Sequence, residues 1–459
     1  MLRMLLNNLE SWLSLKAPKV LMLRGARQVG KTFLARELGK KFENYIEINF
    51  EEEKKIHAIF DGDLDARELA RKISVLKKTP VVEGQTLIFF DEIQSCPNAL
   101  RSLRFFYEKI PGLHVLCAGS LLEFVLEEIP SFGVGRIESL FLFPLSFKEF
   151  LLASENGALL AEIESASFGK PLSTVLHDRA IELLREYLFV GGLPEAVSAW
   201  IEKRDYASVA RVHQTLISGY RDDFAKYKRR VAVHDIDQVF AGTAGKAGTR
   251  VKYTSISQSL NNRQIKSALD LLNKAGILHF AFYTAASAVP LAAQMDQRMF
   301  KPLLNDCGLY QRLSGVDAAS WVINTSWENT NKGNLAELFV GLEILANSTP
   351  WVRPELFFWE NKSSPASAAE IDYLITSKDK FIPLEVKAGA SGRLKSLSLF
   401  LDLKKGSPSL ITEEKTAQGY GIKLSLDNFA DHGSVKFVPL YAAYRLVSDF
   451  TRVFDSPDL

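Results

Sequence analysis

The 459-residue chain carries 56 Lys+Arg against 54 Asp+Glu, a formal net charge of +2, with 47% hydrophobic and 24% charged residues. Such a length holds about three domains, the composition is ordinary for globular protein, and the balanced charge excludes a global field aimed at nucleic acid or membrane, so any such partner must meet a local patch. Cys96, Cys117 and Cys307 are odd in number and far apart, the seven histidines show no metal-ligand spacing, and no apolar run nears the ~18 residues of a membrane span. A reducing cytoplasm is the expected location.

In chain order, Met1 to Glu10 reads as an amphipathic helix, since it has no h-region or small-residue cleavage site. Val20 to Leu23 is a short apolar strand that breaks at Gly25, and a helix opens at Phe33. Between them, Gly25-Ala26-Arg27-Gln28-Val29-Gly30-Lys31-Thr32 has the spacing G-x-x-x-x-G-K-T of a phosphate-binding loop. The two glycines let backbone N–H groups turn inward around phosphate oxygens. Lys31 adds charge for the β/γ-phosphates, the Thr32 hydroxyl can ligate Mg²⁺, and the helix points its positive end at the same anion. The spacing predicts binding of a nucleoside triphosphate with Mg²⁺.

Tyr45 to Phe50 is a second strand, and Thr86-Leu-Ile-Phe-Phe-Asp-Glu is a third that ends in two carboxylates. Asp91 is placed to hold the Mg²⁺ shell and Glu92 to polarise the attacking water. The strand from Leu113 ends in Ser120, which can sense the γ-phosphate, cap the next helix with Glu123, or do both. Arg136 follows a glycine-flanked loop before the strand from Ile137. It is a candidate arginine finger for a neighbouring subunit, or a surface arginine paired with Glu128. Ser146 and Glu149 form a capping box for the following helix. Strands alternating with helical stretches over 20–150 predict a parallel sheet covered on both faces.

These motifs, with Phe143-Pro-Leu-Ser-Phe, Gly191-Gly-Leu-Pro-Glu-Ala-Val, Tyr220-Arg-Asp-Asp and Lys332-Gly-Asn-Leu-Ala-Glu-Leu-Phe-Val, resemble a prokaryotic AAA+-type P-loop ATPase family. Its members carry a C-terminal domain of unknown function. The resemblance implies a ring-forming ATPase, a hexamer by expectation, and makes Lys31, Thr32, Asp91, Glu92 and Arg136 the matching functional positions.

Residues 151–180 are turn-rich and read as a linker or mobile insert, after which helical periodicity resumes at Ala180 and stops at Gly191-Gly-Leu-Pro. Between Ile201 and Ala275 there are 14 Lys+Arg against 7 Asp+Glu. Within that stretch the order helix, helix, strand fits a winged helix-turn-helix whose second helix starts near Asn262. Arg250, Lys252, Arg263 and Lys266 would then meet a DNA backbone, or else form a solvated basic face or subunit interface.

Near the C-terminus, Glu370-Ile-Asp372 and Glu385-Val-Lys387 resemble the core of PD-(D/E)XK nucleases, with a preceding helix glutamate at Glu337 or Glu343. A turn centred between Lys378 and Asp379 sets Asp372 opposite Glu385 and Glu370 opposite Lys387, all on one face. Such a set could hold a second Mg²⁺ for phosphodiester cleavage, or Glu370 and Lys387 could be a plain cross-strand ion pair. Pro383 departs from an ideal central strand. The expected architecture is α/β throughout: an AAA+ P-loop parallel sheet over 1–150, a linker, helical and winged-helix middle over 151–289, and a restriction-endonuclease-like domain over 290–459. Three functions follow as alternatives: a ring ATPase that engages or moves along DNA, an ATP-dependent switch whose C-terminal domain docks a protein partner, and an active Mg²⁺ nuclease.

Overall fold

The computed structural model describes residues 3–119, 122, 135–227, 231–316, 318, 321, 331–361, 368–389, 394–413 and 418–448. Helix α1 (Leu5–Leu13) precedes strand β1 (Val20–Arg24) and helix α2 (Lys31–Gly39); β2 (Asn44–Asn49), α3 (Ala66–Lys77), β3 (Thr86–Asp91), α4 (Pro97–Lys109), β4 (His114–Ala118) and β5 (Ile137–Phe141) follow. The five strands form one sheet in the order β2-β3-β4-β1-β5, every neighbouring pair parallel. Period-two alternation divides their side chains. Met22, Ile88, Phe90 and Cys117 pack with α3 and α4, while Leu21, Leu23, Leu87, Phe89 and Leu116 pack with α2. Both faces are therefore buried, as continuous apolar strands require, and the polar loops at the strand ends are left to carry chemistry.

The expected capping box forms at α5 (Phe147–Ala153), with Ser146 and Glu149 bonding each other's backbone N–H. The reading of 151–180 as a linker is corrected. Residues 157–165 are helix α6 (Gly157–Ser165), which buries Leu159, Leu160 and Ile163. Its C-terminal end is pinned by the buried Arg445, whose Nη1 donates to the carbonyls of Ile163 (2.8 Å) and Ala166 (2.7 Å). Turn-rich composition hid an element held by a distant arginine.

Helices α7 (Thr174–Val190), α8 (Pro194–Lys203) and α9 (Tyr206–Phe224) come next, then α10 (Val233–Ala244), α11 (Tyr253–Ile256) and α12 (Asn262–Lys274). The last begins where the sequence places it, behind an Asn261–Gln264 capping box. Strands β6 (Leu278–Thr284) and β7 (Met295–Leu304) form a hairpin. After α13 (Cys307–Leu313) and α14 (Asn331–Asn347) come β8 (Leu356–Asn361), β9 (Ala369–Ser377), β10 (Lys380–Val386), α15 (Lys395–Leu403), β11 (Gly421–Ser425), β12 (Ala430–His432) and β13 (Val435–Pro439). All eight of these strands belong to one sheet, β12-β13-β11-β10-β9-β8-β6-β7. The boundary expected at 289/290 thus falls inside the β6–β7 hairpin, and β6 pairs in parallel with β8 of the C-terminal part.

The β9–β10 register is the one a turn centred between Lys378 and Asp379 dictates: Lys380 lies opposite Ser377 and Leu384 opposite Tyr373. Pro383 sits opposite Leu374 inside this hairpin, buried between β9 and β11. All three cysteines are free and buried. No described helix is long and apolar enough to cross a membrane.

Candidate functional site

The phosphate loop runs from the end of β1 to the start of α2. Gly25 has φ +148° and lies so near the Leu142 carbonyl that a Cβ would stand 2.1 Å from its oxygen. Gly30 has φ +94°, the left-handed turn that points the chain into α2. Lys31 folds back over the loop, its Nζ donating to the carbonyls of Gly25 (2.9 Å) and Ala26 (2.7 Å). Burial pushes this ammonium down to about 8, against the pull of Glu92 and Asp91.

Thr32 Oγ1 donates to Asp91 Oδ2 at 2.8 Å. The parallel register that sets Asn49 beside Asp91 and Phe90 beside Cys117 carries the end of β3 to this point. Asp91 is 5% exposed, and burial raises its carboxyl, offset by the Thr32 hydrogen bond. A hydroxyl and a carboxylate converging beside a phosphate loop are the hard oxygen donors that suit Mg²⁺. Glu92 follows with a backbone strained at φ +47°, and its carboxylate is held in place by accepting from Gln94 Nε2 at 2.5 Å.

Four further contacts on the loop escaped the sequence reading. Arg27 forms an ion pair with Asp223, and Tyr220 Oη donates to the Arg27 carbonyl at 3.3 Å. Both partners belong to the Tyr220-Arg-Asp-Asp motif at the end of α9, whose presence was the only signal in the sequence. Pro194, the first residue of α8, lies 3.6 Å from where a Cβ on Gly30 would stand. Gly276, in the turn between α12 and β6, packs on the Ala26 backbone from the other side. Gln28 has φ +66° and Val29 is buried beneath the loop.

Ser120, Glu123 and Glu128 lie outside the described residues. Arg136 ends up at the start of β5, and β5 runs parallel to β1, so it sits at the sheet edge opposite its own phosphate loop. Its Nε donates to Glu108 Oε1 at 2.6 Å. Arg263 and Lys266 are exposed on α12, and Lys252 is exposed beside them in sequence. Arg250 instead spends Nη1 on both carboxylate oxygens of Glu360, at 2.8 and 2.7 Å.

In the C-terminal sheet, Asp372 Oδ2 accepts from the Val386 amide at 2.7 Å, and Lys387 Nζ donates to Glu385 Oε1 at 2.5 Å. The ion pair between Glu370 and Lys387 offered as the alternative does not form; Glu370 is bound to Lys301 instead. Lys301, on β7, also contacts Glu337 at 2.5 Å and Asp372 at 3.7 Å. Sequence reasoning missed it, since nothing local marks a lysine that acts across the sheet. Burial alone would lower its ammonium, but Glu337, Asp372 and Glu370 hold it well above the ordinary lysine value. Glu385 is pushed up to about 7 by burial and by Asp372. Glu337 is the helix glutamate that joins this cluster. Glu343 faces the other way and accepts from the Phe147 amide at 2.8 Å.

Residues 17–151 match the family model of an AAA domain. That stretch, with its five-stranded parallel sheet, is a P-loop ATPase domain of the AAA kind. Residues 181–320 and 332–443 match models of two domains of unknown function, DUF8612 and DUF4143. No curated protein shows significant similarity to the chain. Among solved structures, a Walker-type ATPase of Pyrococcus abyssi is 15% identical, with 68% of this chain and 93% of that one covered and a TM-score of 0.41. The Aeropyrum pernix ORC1 protein in complex with DNA is 14% identical over 69% and 93%, with a TM-score of 0.30. The ORC2 protein of the same organism in its ADP form is 15% identical over 69% and 91%, with a TM-score of 0.31. Overlaps this loose carry no weight beyond the domain match.

Proposed function

We propose that the chain is a Mg²⁺-dependent ATPase that assembles into rings, a hexamer by expectation, and engages DNA through its middle segment. The observation that carries the ATPase reading is the convergence of Lys31, Thr32, Asp91 and Glu92 at one end of a parallel sheet. On arrival of triphosphate, Lys31 exchanges its two loop carbonyls for phosphate oxygens. Thr32 and Asp91 hold Mg²⁺, which neutralises charge on the phosphates when bound. Glu92 orients and polarises the water, and Arg136 of an adjacent subunit completes the site.

Glu92→Gln tests this reading. ATP affinity should persist while turnover falls by roughly 10²-fold or more, as loss of a water-activating group implies. Unchanged turnover removes Glu92 from the mechanism.

The DNA part rests on the exposed Arg263 and Lys266 at the solvent side of a helix that fits the second helix of a winged helix-turn-helix. ATP turnover and binding measured with branched and single-stranded DNA check it; no binding at low salt ends it. A second reading, an ATP-dependent switch that docks a protein, is favoured by the Arg250–Glu360 pair, which takes one of the four basic candidates away from phosphate. Slow turnover indifferent to DNA, with nucleotide-dependent particle size, would select that reading.

A further inference from the structure

Glu337, Glu370 and Asp372 each offer a carboxylate oxygen within 4.8 Å of the others, the spacing of a metal site. A divalent cation there would need several oxygens free to approach to about 2.1–2.6 Å. The centre of this cluster is instead filled by protein. Lys301 Nζ contacts Glu337 at 2.5 Å, touches Glu370, and lies 3.7 Å from Asp372. Lys301 is completely buried, with its ammonium 5.1 Å from the centre of the Phe358 ring, so it has no solvent-exposed position in this packing. An ammonium and a divalent ion at the same carboxylates would repel each other at contact distance. The neighbouring Glu385, 3% exposed, accepts from Lys387 at Oε1 and has no hydrogen-bond partner for Oε2 among the described residues. A fourth carboxylate thus borders the cluster with unused capacity. The residues present do not fit a metal while Lys301 is in place.

We propose that Lys301 is a tethered cation that occupies the metal position of the C-terminal carboxylate cluster, so that this domain is held together by an ion pair from the middle segment and does not cleave nucleic acid. The lysine comes from β7, within the stretch matching one family model, and its carboxylates come from the stretch matching the next. The cluster therefore fastens two segments where a nuclease would hold its metal. This inference is independent of the ATPase reading and stands or falls separately.

Mn²⁺ titration of the full nucleotide-free chain, followed by the electron paramagnetic resonance of free Mn²⁺, tests it. The wild type and Asp372→Asn should take up Mn²⁺ equally, because the phosphate loop contributes alike to both. Lys301→Met should bind one further equivalent, and Lys301→Met/Asp372→Asn should lose it. Plasmid with Mg²⁺ should stay intact with the wild type. The proposal is overturned if the wild type binds one equivalent more than Asp372→Asn, if it nicks plasmid and Asp372→Asn does not, or if folded Lys301→Met gains no site. Should Lys301→Met fail to fold, the comparison of wild type with Asp372→Asn decides alone.

Discussion

Glu337 and Glu343 are six residues apart on α14, about 240° around the helix, so they serve different neighbours. Glu337 meets Lys301, whereas Glu343 turns to the first turn of α5, where it accepts from the Phe147 amide, and it also accepts from Asn347 Nδ2 one turn along its own helix (3.3 Å). Burial pushes the Glu343 carboxyl up to about 8. A raised carboxyl contributes stability that is complete below the unfolded-state value near 4.5 and is lost as pH rises through about 8. Glu343→Gln keeps a neutral acceptor at every pH, so its melting temperature should exceed that of the wild type by about 2 °C or more at pH 9 and match it near pH 5. Thermal scans across pH check this; equal curves at pH 9 would place the ionisation elsewhere. At this scale the sequence was legible where chemistry is local. The phosphate loop, Asp91 and the β9–β10 register follow from spacing, turn position and period two. Lys301 and Asp223 were not legible, because each finds its partner only through tertiary packing.

The turn between α12 and β6 illustrates how elements, rather than residues, build the nucleotide site. Gly276 has φ +71°, and a Cβ there would stand 2.9 Å from the Ala26 amide nitrogen. A left-handed non-glycine costs about 1–3 kcal/mol, and here the strain falls on the loop that receives phosphate. Gly276→Ala should therefore weaken ATP binding by about tenfold while the fold survives. A nucleotide titration shows it; unchanged affinity would mean that the turn yields without disturbing Ala26. Element existence was readable for the N-terminal sheet, where apolar strands alternate with helices. It was unreadable for α6, since small and polar residues around it gave a turn signal while the anchoring Arg445 lies far along the chain.

For the whole molecule, the decisive feature is the eight-stranded sheet that takes one strand, β6, from before the expected boundary. The 290–459 fragment would lack β6, exposing the edge of β8, and would lack the partner of β7. It should be insoluble or without cooperative unfolding, whereas a fragment that begins ahead of α10 should fold. Expression and calorimetry of the two fragments distinguish these outcomes; an independently stable 290–459 unit would refute the claim. Domain order could be read from motifs, but a shared strand could not, because pairing of β6 with β8 spans about 75 residues of intervening chain.

A ladder of backbone hydrogen bonds that crosses from the middle of the chain to its end leaves no pivot between them. If the turn at Gly276 shifts with the contents of the phosphate loop, the ladder stays intact only where β6 moves together with its paired strands β7 and β8 as one body. The distant end of the protein would then register nucleotide as a displacement of a few ångströms or less, delivered at the strand that carries Lys301.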